Sequence, residues 1–192
     1  MYNLLNPKEK EKLTIVDIKK DQLLFHENEV CVSVALVISG QIIIRSIDLN
    51  GKEIIYNIIN EGGIFANNLL FSNDKRYKGD VIATQKSKVA LLSEDNLIEI
   101  LMNNVVFLRS YLSVQAENIK QINFMVKLLS LDSARERFIY YLEYHHRLIE
   151  IESITRLSKE LSLTRETLSR LISSLIKEKI IIKEKQLIKL IN

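Results

Sequence analysis

Arg165, Glu166, Ser169 and Arg170 lie within six consecutive positions, at a spacing that gathers them on one face of a helix near its N-terminus. Such side chains can read the base edges in a DNA major groove. An arginine donates two bonds to the N7 and O6 edge of guanine, and a glutamate accepts from the amino group of cytosine. A glutamate turned towards phosphate would be repelled, so its place beside two arginines fits base readout better than backbone attraction. The same residues also read as an ordinary solvated face with an i, i+4 pair between Glu166 and Arg170. Taken alone, the four do not separate these two readings.

The elements that must position them are visible on either side. Leu168, Leu171, Ile172 and Leu175 follow the i, i+3, i+4, i+7 pattern of a buried helical stripe. Thr164 is placed to cap that helix, with Thr167 three residues on instead of Glu or Gln, so the capping box is incomplete. Upstream, Ser153 can cap a first short helix whose Leu157 and Leu161 sit one turn apart. Downstream, Ile180-Ile181-Ile182 and Leu187-Ile188-Lys189-Leu190-Ile191 are largely apolar runs separated by Lys183-Glu184-Lys185-Gln186, a hairpin with a charged tip. Helix, turn, helix, hairpin is the order of a winged helix-turn-helix. Ser153, Thr164, Lys183 and Lys185 are then the expected phosphate contacts. Charge agrees: residues 131–192 hold 12 basic and 9 acidic side chains, whereas residues 1–130 hold 15 of each. The net charge of +3 therefore sits in the C-terminal segment, a modest footprint for nucleic acid.

The N-terminal half reads as β structure. Val34–Ile38 and Gln41–Arg45 flank Ser39-Gly40, and Asn50-Gly51 precedes Glu53–Ile59, an Asn-Gly hairpin signal because both residues tolerate positive φ. Gly62-Gly63 marks another bend, and Val81–Thr84 and Lys88–Leu92 supply further short strands. This spacing predicts a compact sandwich or roll. From about Glu94 the pattern turns helical. Leu108, Leu112, Gln115, Ile119, Ile122, Val126 and Leu129 alternate spacings of four and three, a heptad seam that predicts a dimer interface, with Gln115 able to pair across the two-fold axis and set register. The alternative is a long helix lying on its own β domain. Leu131-Asp132-Ser133 breaks the pattern, and Asp132 or Ser133 caps the next helix, Ala134 to His145. The expected fold class is α+β: a β-roll of jelly-roll type over residues 1–103, a dimerisation helix over 104–130 and a winged helix-turn-helix over 131–192.

In this order, the whole chain resembles the family of the cyclic AMP receptor protein and the fumarate–nitrate reduction regulator (CRP/FNR). The resemblance is carried by Phe25-His26-Glu27-Asn28-Glu29, Val37-Ile38-Ser39-Gly40, Asn50-Gly51-Lys52-Glu53, Gly62-Gly63-Ile64-Phe65, Leu131-Asp132 and, most specifically, Thr164-Arg165-Glu166-Thr167-Leu168-Ser169-Arg170. It implies a homodimeric transcription regulator with Arg165, Glu166, Ser169 and Arg170 on the bases of an inverted repeat of TTGA or TGTGA type. RNA polymerase is the further partner it implies.

The chain departs from that family where a cyclic nucleotide would bind. Members that take one carry Gly-Glu and Arg-Ser or Arg-Thr; here Ala66-Asn67 and Tyr77-Lys78 hold those places. Gln121 and Ile122 stand where two hydroxyls would meet the base. Lys78 could partly restore the lost positive charge, as a point charge without the arginine fork. These six residues describe a degenerate effector pocket, and cyclic AMP is not the expected ligand. Nor is an iron–sulfur cluster, which needs four cysteine ligands against the single Cys31. Ser162 replaces the glycine usual in the helix-turn-helix turn and the wing tip lacks glycine, a strain of about 1 kcal/mol wherever positive φ is required.

Composition bounds the remaining possibilities. At 47% apolar residues the chain can fill a core, while its apolar runs are too short to cross a bilayer. The segment Met1–Lys8 lacks a signal-peptide pattern, and one cysteine suits a reducing compartment, so the expected location is cytoplasmic. His26, His145 and His146 show no HxH or HExxH spacing, which argues against a metal site. His26 near Cys31 admits a haem- or thiol-sensing role, against the commoner reading of His26 as a surface residue and Cys31 as inert core; Tyr140, Tyr141 and Tyr144 read as packing between domains. No phosphate loop, nucleophile elbow or paired catalytic acids stand out. The alternative function is a cupin-like ligand-binding roll or metalloenzyme whose helical C-terminus serves protein interaction.

Overall fold

The computed structural model describes residues 1–191, and its contacts divide the chain into two units, Met1–Val114 and Gln115–Asn192. The first unit is built on two four-stranded antiparallel sheets. One has the order β1 (Thr14–Ile18), β8 (Ser87–Ser93), β3 (Ser33–Ser39), β6 (Ile64–Phe65). The other runs β2 (Leu23–Phe25), β7 (Asp80–Ala83), β4 (Gln41–Ile47), β5 (Glu53–Asn60). This is the expected roll. β3 is buried from Ser33 to Val37, as a strand covered on both faces must be. Gly40, at φ +88°, carries the chain from one sheet to the other; a Cβ there would meet the Lys86 carbonyl at 2.7 Å. The Asn-Gly signal marks a true hairpin: β4 pairs with β5 from Gln41↔Asn60 to Ile47↔Glu53. The Asp48 carboxylate accepts the Asn50 and Lys52 amides, at 2.8 and 2.9 Å, across its tip.

Short helices complete this unit: α1 (Pro7–Lys10), α2 (Asn67–Leu70) and α3 (Glu94–Asn103). Asn6 and Glu9 form a capping box at α1. Asn104 bonds Glu9 and caps the start of α4 (Val105–Leu129), its Oδ1 accepting the Phe107 amide at 2.9 Å. Phe107 and Tyr111 of α4 enter the roll's core, which also holds Cys31, Phe65, Leu70 and Tyr77.

The second unit contains the rest of α4, α5 (Ala134–Tyr144), β9 (Leu148–Glu150), α6 (Ile154–Glu160), α7 (Arg165–Lys177), β10 (Ile181–Glu184) and β11 (Leu187–Leu190). Ser133 caps α5 and Glu136 returns to the Ser133 amide, a complete capping box. Its sheet has the order β10-β11-β9, so the expected hairpin gains a third strand, paired Leu187↔Glu150 to Lys189↔Leu148. Phe124 and Leu128 of α4 join Phe138 and Leu142 in this unit's core. Tyr140, Tyr141 and Tyr144 gather around Phe124, the Tyr144 ring stacked at 3.9 Å between centroids. Their packing thus joins the segment after residue 130 to the long helix, inside one unit of the structure. No single helix among the described residues is long and apolar enough to cross a membrane.

The seam of α4 faces away from both cores. Leu112, Ile119, Ile122, Val126 and Leu129 are exposed within the chain, while Leu108 and Gln115 are half-buried. A helix simply lying on its own domain would have buried that stripe. Instead, Phe107, Tyr111, Phe124 and Leu128 are the residues of α4 taken into the cores.

Candidate nucleic-acid interface and sensor site

Two short helices, each started by a side-chain cap, set the geometry of the candidate interface. Ser153 Oγ accepts the Arg156 amide at 3.0 Å and starts α6. Thr164 Oγ1 accepts the Thr167 amide at 3.1 Å and starts α7, and the two threonine hydroxyls share a 2.9 Å bond in place of the capping-box carboxylate. Between the helices the chain turns at Ser162, whose φ is +53°; the Leu163 amide returns to the Ser158 carbonyl at 2.8 Å. The missing glycine therefore falls where positive φ is required. Leu157, Leu161, Leu168, Ile172 and Leu175 are buried with Ile181, Ile188 and Leu190 of the sheet. Each such side chain contributes about 1.5–3 kcal/mol when fully buried.

That buried stripe fixes what the other face presents. Arg165, Glu166, Ser169 and Arg170 are all exposed on the first turns of α7. Among the described residues no hydrogen bond or ion pair engages the side chains of Arg165, Glu166 or Arg170, so the alternative Glu166–Arg170 pair does not form. Other cations of this unit are engaged: Arg156 with Glu152 and Glu160, and Arg135 with Glu178 at 2.6 Å, which holds the Glu178 carboxyl below its ordinary range. Lys183 and Lys185 are exposed on the wing, Lys185 taking φ +52° at its two-residue tip. Ser153 and Thr164 use their oxygens as cap acceptors, and a capping hydroxyl keeps a proton to donate.

The six residues expected to form a degenerate effector pocket differ widely in their surroundings. Among the described residues Tyr77 is the largest fully buried side chain, 1% exposed, and its ring stacks on Phe25 at 4.8 Å with a 10° interplanar angle. Its hydroxyl has no oxygen or nitrogen partner among the described residues; its neighbour is the Cys31 thiol. Burial, and then that thiol, push the Tyr77 pKa far above its ordinary value, so the ring is a neutral phenol. Cys31 Sγ donates to the Ser33 carbonyl at 3.3 Å and lies 4.0 Å from that of Ala66. Ala66 is held at φ +62°, ψ +2° before α2, and Asn67 is buried as the first residue of that helix. The Tyr111 hydroxyl of α4 donates to the Asn67 carbonyl at 3.5 Å.

Lys78 must be corrected as a pocket residue: it is exposed and ion-paired with Asp74 at 2.5 Å, because the alternation that turns Tyr77 inward turns its neighbour out. Gln121 and Ile122 are exposed on the second unit's part of α4. At these positions the chain thus presents a buried phenol and an exposed, ion-paired lysine, and Ala66-Asn67 carries no carboxylate. His26 is exposed and Cys31 buried. Among the described residues no three His, Cys, Asp or Glu side chains converge as a metal site would require.

The first unit is thus a β-roll, and the second joins the long helix to a winged helix-turn-helix. Residues 15–104, which are 90 of the 192, match the family model described as Cyclic nucleotide-binding domain. No curated protein matches the chain. Among solved structures, CprK in complex with OCPA is similar at 16% identity and a TM-score of 0.72, over 96% of this chain and 90% of that one. The catabolite activator protein of Thermus thermophilus gives 17% and 0.57, over 97% and 91%. A transcriptional regulator from Thermotoga maritima gives 20% and 0.59, over 64% and 95%. The first unit carries a cyclic nucleotide-binding-type domain, and the chain as a whole has the fold of the CRP/FNR-type regulators.

Proposed function

We propose that the chain is a DNA-binding transcription regulator that acts as a homodimer, reads an inverted repeat of TTGA or TGTGA type, and does not use cyclic AMP as its effector. The observation that carries this reading is the exposed, unpaired set Arg165, Glu166 and Arg170 at the capped start of α7, backed by a core and flanked by a lysine-tipped wing. Side chains left without intramolecular partners are ready for base edges, and Ser169 completes the face. The exposed seam of α4 supports the two-fold axis that a palindrome requires. RNA polymerase is the further partner of this reading, and the fold's relatives named as regulators favour it over a roll serving metal chemistry.

Selection from random DNA with the purified protein tests the reading. The expected product is an inverted repeat with half-sites about 10 bp apart, centre to centre. Binding should weaken steeply with salt, as phosphate contacts release counterions. Arg170→Ala should lose about 1–3 kcal/mol of discrimination at one guanine. Selection without a palindrome, or Arg170→Ala keeping the parent's sequence preference, would refute the assignment.

A further inference from the structure

We propose that Tyr77 is the built-in occupant of the sensor roll, a side chain that stands where an effector would otherwise be needed and holds α2 and the Tyr111 turn of α4 in the DNA-binding arrangement. The proposal rests on the regulatory reading above and deepens it.

Four observations lead to it. Tyr77 is the largest fully buried side chain, stacked on Phe25 as a flat ligand would be. Its hydroxyl forgoes an oxygen or nitrogen partner, which an ordinary core tyrosine rarely does. A core position with no polar role would be served as well by phenylalanine, so the ring's shape and place, not its hydrogen bonding, are what the roll uses. The segment that carries the ring is tied down on both sides: the Asn28 amide donates to the Tyr77 carbonyl at 2.8 Å, and the Tyr77 amide to the Glu29 carbonyl at 3.0 Å.

From the ring a short path reaches the long helix. The Tyr77 ring, Cys31 and Ala66 belong to one packed core, in which the Cys31 sulfur lies 4.0 Å from the Ala66 carbonyl. Ala66 is a left-handed residue that is not glycine, a conformation persisting only where its surroundings enforce it. It opens α2, whose Asn67 carbonyl accepts the Tyr111 hydroxyl of α4. Removing the phenol would let Cys31, Ala66 and α2 relax towards the space it left, and the Asn67 carbonyl that accepts from Tyr111 would move with α2. In this arrangement the ligand is part of the chain, so specific DNA binding needs no added effector.

The test is to remove the ring and return it as a free molecule. Tyr77→Phe keeps the occupant and should bind operator within about twofold of the parent. Tyr77→Ala should lose at least about tenfold in operator affinity and recover most of it in millimolar p-cresol, the same side chain as a free molecule. Circular dichroism shows whether Tyr77→Ala is folded; Tyr77→Leu, nearer the parent in volume but not flat, serves if it is not, and should show the same loss without p-cresol rescue. A folded Tyr77→Ala or Tyr77→Leu with the parent's operator affinity would overturn the proposal while leaving the DNA-binding reading intact. So would p-cresol that binds Tyr77→Ala by calorimetry without restoring operator affinity. A parent protein that selects no DNA sequence would instead count against the regulatory reading itself.

Discussion

Ile119→Asp puts the proposed two-fold axis at risk while sparing the fold of the single chain. Ile119 is 58% exposed within the chain, in a stripe with Leu112 at 56%, Ile122 at 62%, Val126 at 63% and Leu129 at 49%. Burying the exposed part of such a side chain stabilises by roughly 1–2 kcal/mol. Five positions on two protomers give on the order of 10 kcal/mol or more, set against an association cost of about 4–15 kcal/mol. Ile119→Asp removes one apolar contact on each helix and places two carboxylates in the seam, each costing several kcal/mol (roughly 3–5) when unpaired and buried. A loss of about 6 kcal/mol weakens dimerisation by a factor of roughly ten thousand. Sedimentation velocity at micromolar protein should therefore show monomers, with unchanged far-ultraviolet circular dichroism, and the operator shift should vanish. Ser113→Asp, an exposed position of α4 outside the seam, should remain dimeric. An Ile119→Asp dimer with parental operator affinity would refute the seam and leave α4 as a strut for its own chain.

Calorimetry with cyclic AMP and cyclic GMP should show no saturable binding below millimolar concentration, since losing one partner of a buried charge pair costs about 2–5 kcal/mol; low-micromolar binding would overturn that expectation. Ser162→Gly should raise thermal stability by up to about 1 kcal/mol, because glycine adopts φ +53° without the Cβ conflict; a lower midpoint in a thermal melt would mean that the serine side chain contributes more than its conformation costs. His145 lies against the Tyr141, Tyr144 and Phe124 rings, and burial among them lowers its pKa below 6.5 despite the opposing pull of Glu160. Its contribution to stability is therefore present above its unfolded pKa and is lost as pH falls through the lowered folded value; proton NMR titration checks the direction, and a value above 6.5 would refute it.

Much of this arrangement is legible in the residues because it rests on periodicity and punctuation. The 3.6-residue stripe of Leu168, Ile172 and Leu175, the caps Ser153, Ser133 and Thr164, and the Asn50-Gly51 hairpin each follow from one local rule. The family pattern supplied the position of Ser162, and the structure gives that position its left-handed backbone. What escaped notice was short or cooperative. β1, β2 and β6 have five, three and two residues, and β9 has three; such runs carry too few alternations to show a period and are strands only because a neighbour pairs with them. The inward turn of Tyr77 was likewise hidden. Tyr77 and Lys78 are adjacent, and which of them faces the core depends on the pairing of residues 28–31 with 75–77, a long-range match that neither segment announces. Alternation in Leu148-Ile149-Glu150-Ile151 was the one signal that could have revealed β9.

The three-stranded sheet also sets an order of events during synthesis. β11 lies between β10 and β9 and contributes Ile188 and Leu190 to the core under α7, so this core closes only after residue 190 has been made. A nascent chain that has just emitted α7 already displays Arg165, Glu166 and Arg170, but on a helix whose apolar stripe has no sheet to rest on. The roll faces no such delay, since β8, its last strand, ends at Ser93 and it can assemble while the remainder is translated. The platform under α7 thus forms after the roll, and a translation product cut short within β11 would keep a folded roll while α7 lacked its supporting sheet.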